Sequence, residues 1–180
     1  MRMTNLSRRA LLGGTLFQKL HHQNIAINSK VIRTVPRPPT AVDEDIFKRL
    51  CTQCGQCKTV CPEHVIIFKD GYPVINIEYS ACTLCFKCKA VCPTNALSNL
   101  LNDTGLRVHI TNTCINEYVY CNECETSCPV SALQWQNKQI PTIDHDKCIG
   151  CGLCKNDCYI EAITMQEETM CSDNNESKFL

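Results

Sequence analysis

Sixteen of the 17 cysteines in this 180-residue chain fall into four runs whose spacing suits ligation of one compact inorganic group per run. Cys51, Cys54, Cys57 and Cys61-Pro62 set the pattern, and Cys82, Cys85, Cys88 and Cys92-Pro93 repeat it. Cys148, Cys151, Cys154 and Cys158 repeat it again, with Tyr159 in place of proline. The remaining run, Cys114, Cys121, Cys124 and Cys128-Pro129, has six residues rather than two in its first gap. Tyr118 occupies the position where the first thiol would be expected, and a phenol does not replace a thiolate toward a soft metal–sulfur group. Two gaps of two residues wrap the chain closely and offer three thiolates together with several backbone N–H groups. The fourth cysteine, four residues after the third, falls one helical turn further on, on the same face.

In two-cluster ferredoxins, a run of this spacing gives its fourth cysteine to the other [4Fe–4S] cluster. By that rule Cys51, Cys54 and Cys57 join Cys92, while Cys82, Cys85 and Cys88 join Cys61. Likewise Cys114, Cys121 and Cys124 join Cys158, and Cys148, Cys151 and Cys154 join Cys128. This reading expects [4Fe–4S] clusters at the three regular runs, and a fourth if the long loop returns Cys114 to its site. Two alternatives fit less well. A disulfide scaffold is the usual meaning of many cysteines in a small secreted chain, but it does not need a repeated spacing. Structural zinc prefers two closely spaced pairs separated by a longer loop, which leaves the third cysteine of each run unexplained.

Around these runs the elements follow a repeat. The runs start at 51, 82, 114 and 148, and after each fourth cysteine come three residues and a small-plus-aliphatic pair: Val65-Ile66, Ala96-Leu97, Ala132-Leu133 and Ala162-Ile163. Four copies of one supersecondary unit follow. Val65-Phe68 and Pro73-Ile77 flank Asp70-Gly71 and read as a hairpin. Ala132-Trp135 with Pro141-Asp144 repeats that design, and Leu106-Ile110 is a further strand. The fold class expected is α+β: tandem bacterial-type 2[4Fe–4S] ferredoxin-like modules behind a flexible N-terminal arm. Short helices are expected after the cysteine runs, and the clusters would serve as much of the core. The divisions are a basic arm with a Pro-rich linker (1–45), a first module (46–105), a second (106–166) and a polar tail (167–180).

Composition agrees that cysteine-bound groups must support the fold. The 44% hydrophobic content includes the cysteines, and without them the apolar fraction is thin for a conventional core. Lys+Arg and Asp+Glu balance at 18 each, which does not suggest a uniformly basic nucleic-acid binder. Residues 1–50 carry nine cations against Asp43, Glu44 and Asp45, and the rest of the chain carries nine against fifteen anions. A basic arm ahead of an acidic body would dock on an acidic partner or a membrane surface, or simply keep the chain soluble. No stretch approaches the roughly 18 apolar residues of a membrane-spanning helix. Ser7-Arg8-Arg9 heads an apolar run, Ala10 to Phe17, short for an export signal and without a clear cleavage site. His21 and His22 read as solvated, Cys171 in the polar tail as a free thiol, and the aromatics Tyr118, Tyr120, Tyr159 and Trp135 as packing over clusters or in the core. No phosphate loop, Ser/His/Asp constellation or zincin motif is present, so an independent enzyme activity is not expected.

The combination of the Arg8-Arg9 pair, the Arg37-Pro38-Pro39 lead-in, Gly71-Tyr72-Pro73 and the odd third run resembles the ferredoxin-type NapF family of periplasmic nitrate reductase systems. Thr40 departs from that pattern, standing where an aromatic is expected, as does the tail after Met165. The resemblance implies a cytoplasmic polyferredoxin that binds the catalytic molybdenum subunit before its export and supports its maturation, by electron transfer or otherwise. Export by a twin-arginine route is the alternative location. On chemistry alone a general electron carrier between redox subunits, or an iron–sulfur redox sensor, fits the same cysteines.

Overall fold

The computed structural model describes residues 33–136 and 138–167. The Arg8-Arg9 pair, His21, His22 and Cys171 lie outside them.

Three short helices sit inside the cysteine runs rather than after them: α2 (Gln56–Thr59), α3 (Lys87–Ala90) and α4 (Leu153–Asp157), following α1 (Glu44–Leu50). Each carries the third cysteine of its run and ends before the fourth. The fourth cysteine therefore does not continue a helical face; the chain turns there and carries it elsewhere. The strands are β1 (Ile66–Lys69), β2 (Tyr72–Ile75), β3 (Leu106–Ile110), β4 (Leu133–Gln134), β5 (Thr142–Ile143) and β6 (Ile163–Glu167). They form three antiparallel two-stranded sheets. β1 and β2 close over Asp70-Gly71, with Lys69 opposite Tyr72, as expected of an Asp-Gly turn, and both turn residues have positive φ. β4 pairs with β5 in the equivalent place of the second half. β3 pairs with β6 from Leu106–Glu167 to Ile110–Ile163, so the last strand reaches Glu167.

Two cores result. Phe47, Val65, Ile66, Ile75, Ala96 and Leu97 pack with Cys61, Cys82 and Cys88, while Val108, Ala132 and Ile163 pack with Cys124, Cys148 and Cys154. Cysteine sulfur fills positions that an ordinary small domain would give to Leu or Ile, which is how so thin an apolar fraction closes two cores.

The Pro-rich segment, expected as a linker between arm and body, is packed into the body. Arg33, Arg37, Thr40 and Ala41 are all at most 3% exposed. Arg37 reaches the Pro73 carbonyl at 2.9 Å and holds the Glu44 carboxylate with two nitrogens, at 3.0 and 2.6 Å. Its guanidinium also lies 4.9 Å from the Phe47 ring centroid. Arg33 donates to the carbonyls of Ala41, Val42 and Asp103. Proline favours this placement, because it brings no backbone N–H that would need a partner inside. The arginines then neutralise carbonyls and a carboxylate that the core alone would leave unpaired.

The two halves are stitched together. The Thr104 hydroxyl contacts the Gly150 carbonyl at 2.8 Å, the Thr104 amide donates to Ile149, and the Cys82 amide donates to the Cys151 carbonyl at 2.8 Å. Asp103 and Arg107 form a buried two-point ion pair at 2.9 and 2.7 Å beside this seam.

Candidate metal centres

The turns place the thiols in groups of four drawn from different runs. Cys51, Cys54, Cys57 and Cys92 line one small cavity, walled by Phe47, Phe68 and Leu97. Cys61, Cys82, Cys85 and Cys88 line a second with Val65, Ile66 and Phe86. A third is lined by Cys114, Cys121, Cys124 and Cys158 together with Ile110, Trp135 and Tyr159. Cys128, Cys148, Cys151 and Cys154 are the four that remain, and the charge of Cys128 raises the Cys151 and Cys154 thiols. All sixteen cysteines among the described residues are free thiols.

Backbone geometry repeats with the thiols. In each of the four copies the residue three places after the fourth cysteine has left-handed φ: His64, Asn95, Ser131 and Glu161. Three copies also place left-handed residues on both sides of the second cysteine: Gln53 and Gly55, Leu84 and Phe86, Gly150 and Gly152. Such alternation turns successive N–H groups to one side and forms an anion-binding nest. Accordingly the Gln53 N–H lowers the Cys51 thiol and the Leu84 N–H lowers that of Cys82, each against a larger upward push from burial. For Gln53, Leu84 and Phe86 this conformation costs on the order of 1 kcal/mol each, held in place by the fold around it.

The third run lacks that pair. Its long loop instead folds as a 3-10 turn (Ile115–Glu117) directly after Cys114. Asn116, fully buried, anchors it: the side-chain amide donates to the carbonyls of Gln136 (3.0 Å) and Gln139 (2.6 Å), and its oxygen accepts from the Cys121 amide at 3.2 Å. Cys114 is thereby brought beside Cys121 and Cys124, while Tyr118 stands 78% exposed and takes no part. Sequence reasoning did not single out Asn116; an uncommitted amide two residues after an isolated cysteine was its only trace. Of the aromatics, Tyr159 and Trp135 line the third cavity and Tyr118 and Tyr120 do not.

Burial pushes the Cys57, Cys82 and Cys124 thiols up to about 11, and those of Cys88 and Cys154 to about 12. Neighbouring thiols add to the effect: Cys57 acts on Cys88, Cys151 on Cys82, and Cys124 on Cys154. The four groups are therefore adjacent in the order first, second, fourth, third.

This donor set fits [4Fe–4S] groups. Four thiols stand around each of the three cavities, whose walls are otherwise largely apolar. In the third, the Trp135 Nε1 is buried without a hydrogen-bond partner, a donor suited to a sulfur acceptor. Among the described residues no three His, Cys, Asp or Glu side chains converge as a single metal ion would require. Nor, among those residues, is any helix long and apolar enough to cross a membrane.

Comparison with known proteins agrees. Residues 50–97 match the 4Fe-4S dicluster domain and residues 141–164 the 4Fe-4S binding domain. An uncharacterized protein of Haemophilus influenzae is 40% identical, over 90% of this chain and 92% of its own length. The ferredoxin-type protein NapF of the same organism is 32% identical over 93% and 97%. A methylamine utilization ferredoxin-type protein, MauM of Methylophilus methylotrophus, is 35% identical over 71% and 67%.

Proposed function

The chain belongs to the NapF family of ferredoxin-type iron–sulfur proteins, and we propose that it is a four-cluster polyferredoxin serving the catalytic molybdenum subunit of a periplasmic nitrate reductase. In this reading the sixteen cysteines from Cys51 to Cys158 are iron ligands in the four groups described above. It acts in the cytoplasm, before export of that subunit, as an accessory of maturation, and has no substrate chemistry of its own.

A bound [4Fe–4S] group supplies one-electron reduction and reoxidation at constant ligation. The protein's own part is to hold the thiols, exclude water and aim N–H donors at sulfur, which together set the potential. Phe47, Phe68, Val65, Ile66 and Trp135 do the excluding. The observation that supports the reading is the grouping of thiols by fours: three sets line cavities with apolar walls, and neighbouring sets influence one another electrostatically from the first group to the third.

Iron and acid-labile sulfide per chain test the chemistry, with about sixteen of each expected after anaerobic purification. Capture of the unexported catalytic subunit on the cluster-loaded chain tests the role. No complex, together with normal reductase maturation in a deletion strain, overturns it. A second reading, an electron carrier for a different redox enzyme, is favoured by one observation: the MauM protein matches NapF in identity to this chain, 35% against 32%, though over 71% of it rather than 93%. Normal nitrate reduction alongside a defect in another anaerobic oxidation would select it.

A further inference from the structure

Six residues separate Cys114 from Cys121, where the other runs have two. The extra length is not slack. Asn116 fastens its base, and the amides of Tyr118 and Val119 both donate to the Ile115 carbonyl, at 2.9 and 2.8 Å. This fixed turn presents Tyr118, Val119 and Tyr120 to solvent at 78%, 62% and 61% exposure. Tyr159, 66% exposed, adjoins them across Cys121, with which it lines the third cavity. Four of the nine exposed large hydrophobic side chains among the described residues thus gather at one place.

The rim of this patch is mainly acidic, with Lys155 lining a groove beside Tyr159 and Lys138 between the two glutamines that anchor the loop. From Val108 to Asn137 the chain contains Glu117, Glu123 and Glu125 and no Lys or Arg, and all three carboxylates are exposed. The patch also lies on the third thiol group, one terminus of the order first, second, fourth, third. An apolar centre on a pinned loop loses little conformational freedom on binding, and a mainly acidic rim selects its partner by charge.

We propose that the lengthened loop of the third run is the docking surface for a redox protein whose contact face is apolar at its centre and ringed by Lys and Arg. The proposal rests on the four-group reading above, because only that places the loop at the end of a series of redox sites.

The probe is zinc-substituted cytochrome c, a basic and redox-inert protein whose apolar porphyrin edge is ringed by lysines. Its fluorescence is titrated with the full-length, cluster-loaded chain at several salt concentrations. The Y118S/V119S/Y120S variant is expected to raise Kd at least tenfold, and E123Q/E125Q to flatten the salt dependence. Leu100→Ser and Asp70→Asn, exposed in the first half, should leave both unchanged. Iron and sulfide are measured on every sample. If the triple variant sheds iron, Val119→Ser alone and the carboxylate pair decide. Wild-type affinity in the iron-replete loop variants, an equal loss from Leu100→Ser, or tighter binding of the acidic acceptor flavodoxin overturns the docking surface alone. Absence of sulfide from the wild-type protein overturns the four-cluster reading and the docking surface together.

Discussion

Asn116→Ala is the sharpest test of how the third run reaches its site. The side chain makes three hydrogen bonds from a position with no solvent exposure: two donated to Gln136 and Gln139, one accepted from Cys121. Each is worth about 1 kcal/mol net, and truncation also strands buried groups, so the anchored loop should lose about 3 kcal/mol relative to the open one. That is roughly a hundredfold shift in the opening equilibrium. Cys114 and Cys121 flank the loop, so the loss falls on one thiol group out of four. The assay is anaerobic chelator challenge, following iron and sulfide with time. About a quarter of the iron should leave the variant quickly while the rest leaves at the wild-type rate. Asn116→Asp keeps the acceptor but opposes a carboxylate to two carbonyls, and should be no better than alanine. Uniform loss from all sites, wild-type retention in the alanine variant, or full rescue by aspartate refutes the reasoning.

Cys88→Ser and Cys114→Ser should lower iron comparably, by about four per chain, whereas Cys171→Ser should leave it unchanged; metal analysis of the three variants checks the ligand set. Gly150→Ala would bring a Cβ to 2.3 Å from the Leu106 carbonyl oxygen at a φ of +69°; backbone must move, and a drop of several degrees in the unfolding midpoint of the loaded protein is expected. Arg37→Met leaves the Glu44 carboxylate and the Pro73 carbonyl without their partner, and should destabilise the first half by about 3 kcal/mol in denaturant titration. Cluster loading should release protons and improve as pH rises, because thiols held up at about 11 to 12 must ionise first; pH-stat measurement during reconstitution checks this. The same upward shifts mean that the metal-free fold keeps its full stability below the ordinary thiol value of 9.0 and weakens as pH climbs from there toward 12.

Cysteine spacing and the Asp70-Gly71 turn made the runs and the first hairpin readable, because both are local: a ligand set and a turn type are written within a few residues. The grouping across runs was readable only through a general rule about ferredoxins. The left-handed Gln53, Leu84 and Phe86 were not readable, since residues that ordinarily avoid positive φ hold it here through their surroundings. Arg37-Pro38-Pro39 misled for a related reason. Proline marks a chain that cannot join a ladder, and that describes a solvated linker and a buried strap equally well. What separates them is the long-range partners of the arginines, at Pro73 and Asp103. Helix position was misplaced by the same locality, because the turn at the third cysteine is set by the thiol group rather than by helix propensity.

The exchange of fourth cysteines between runs bears on biosynthesis. Cys92 joins the group begun at Cys51, and Cys158 the group begun at Cys114. As the chain leaves the ribosome, the group that starts first in each half is the last to be finished. The second group is complete at Cys88 and the first only four residues later; the fourth is complete at Cys154, the third at Cys158. Each half is thus synthesised almost entirely before either of its centres has a full complement of donors, and then both acquire it within one turn of chain. Half-made protein would hold iron in steps of a whole module rather than centre by centre, and a pause after Cys92 would leave a finished first half with the second still to come.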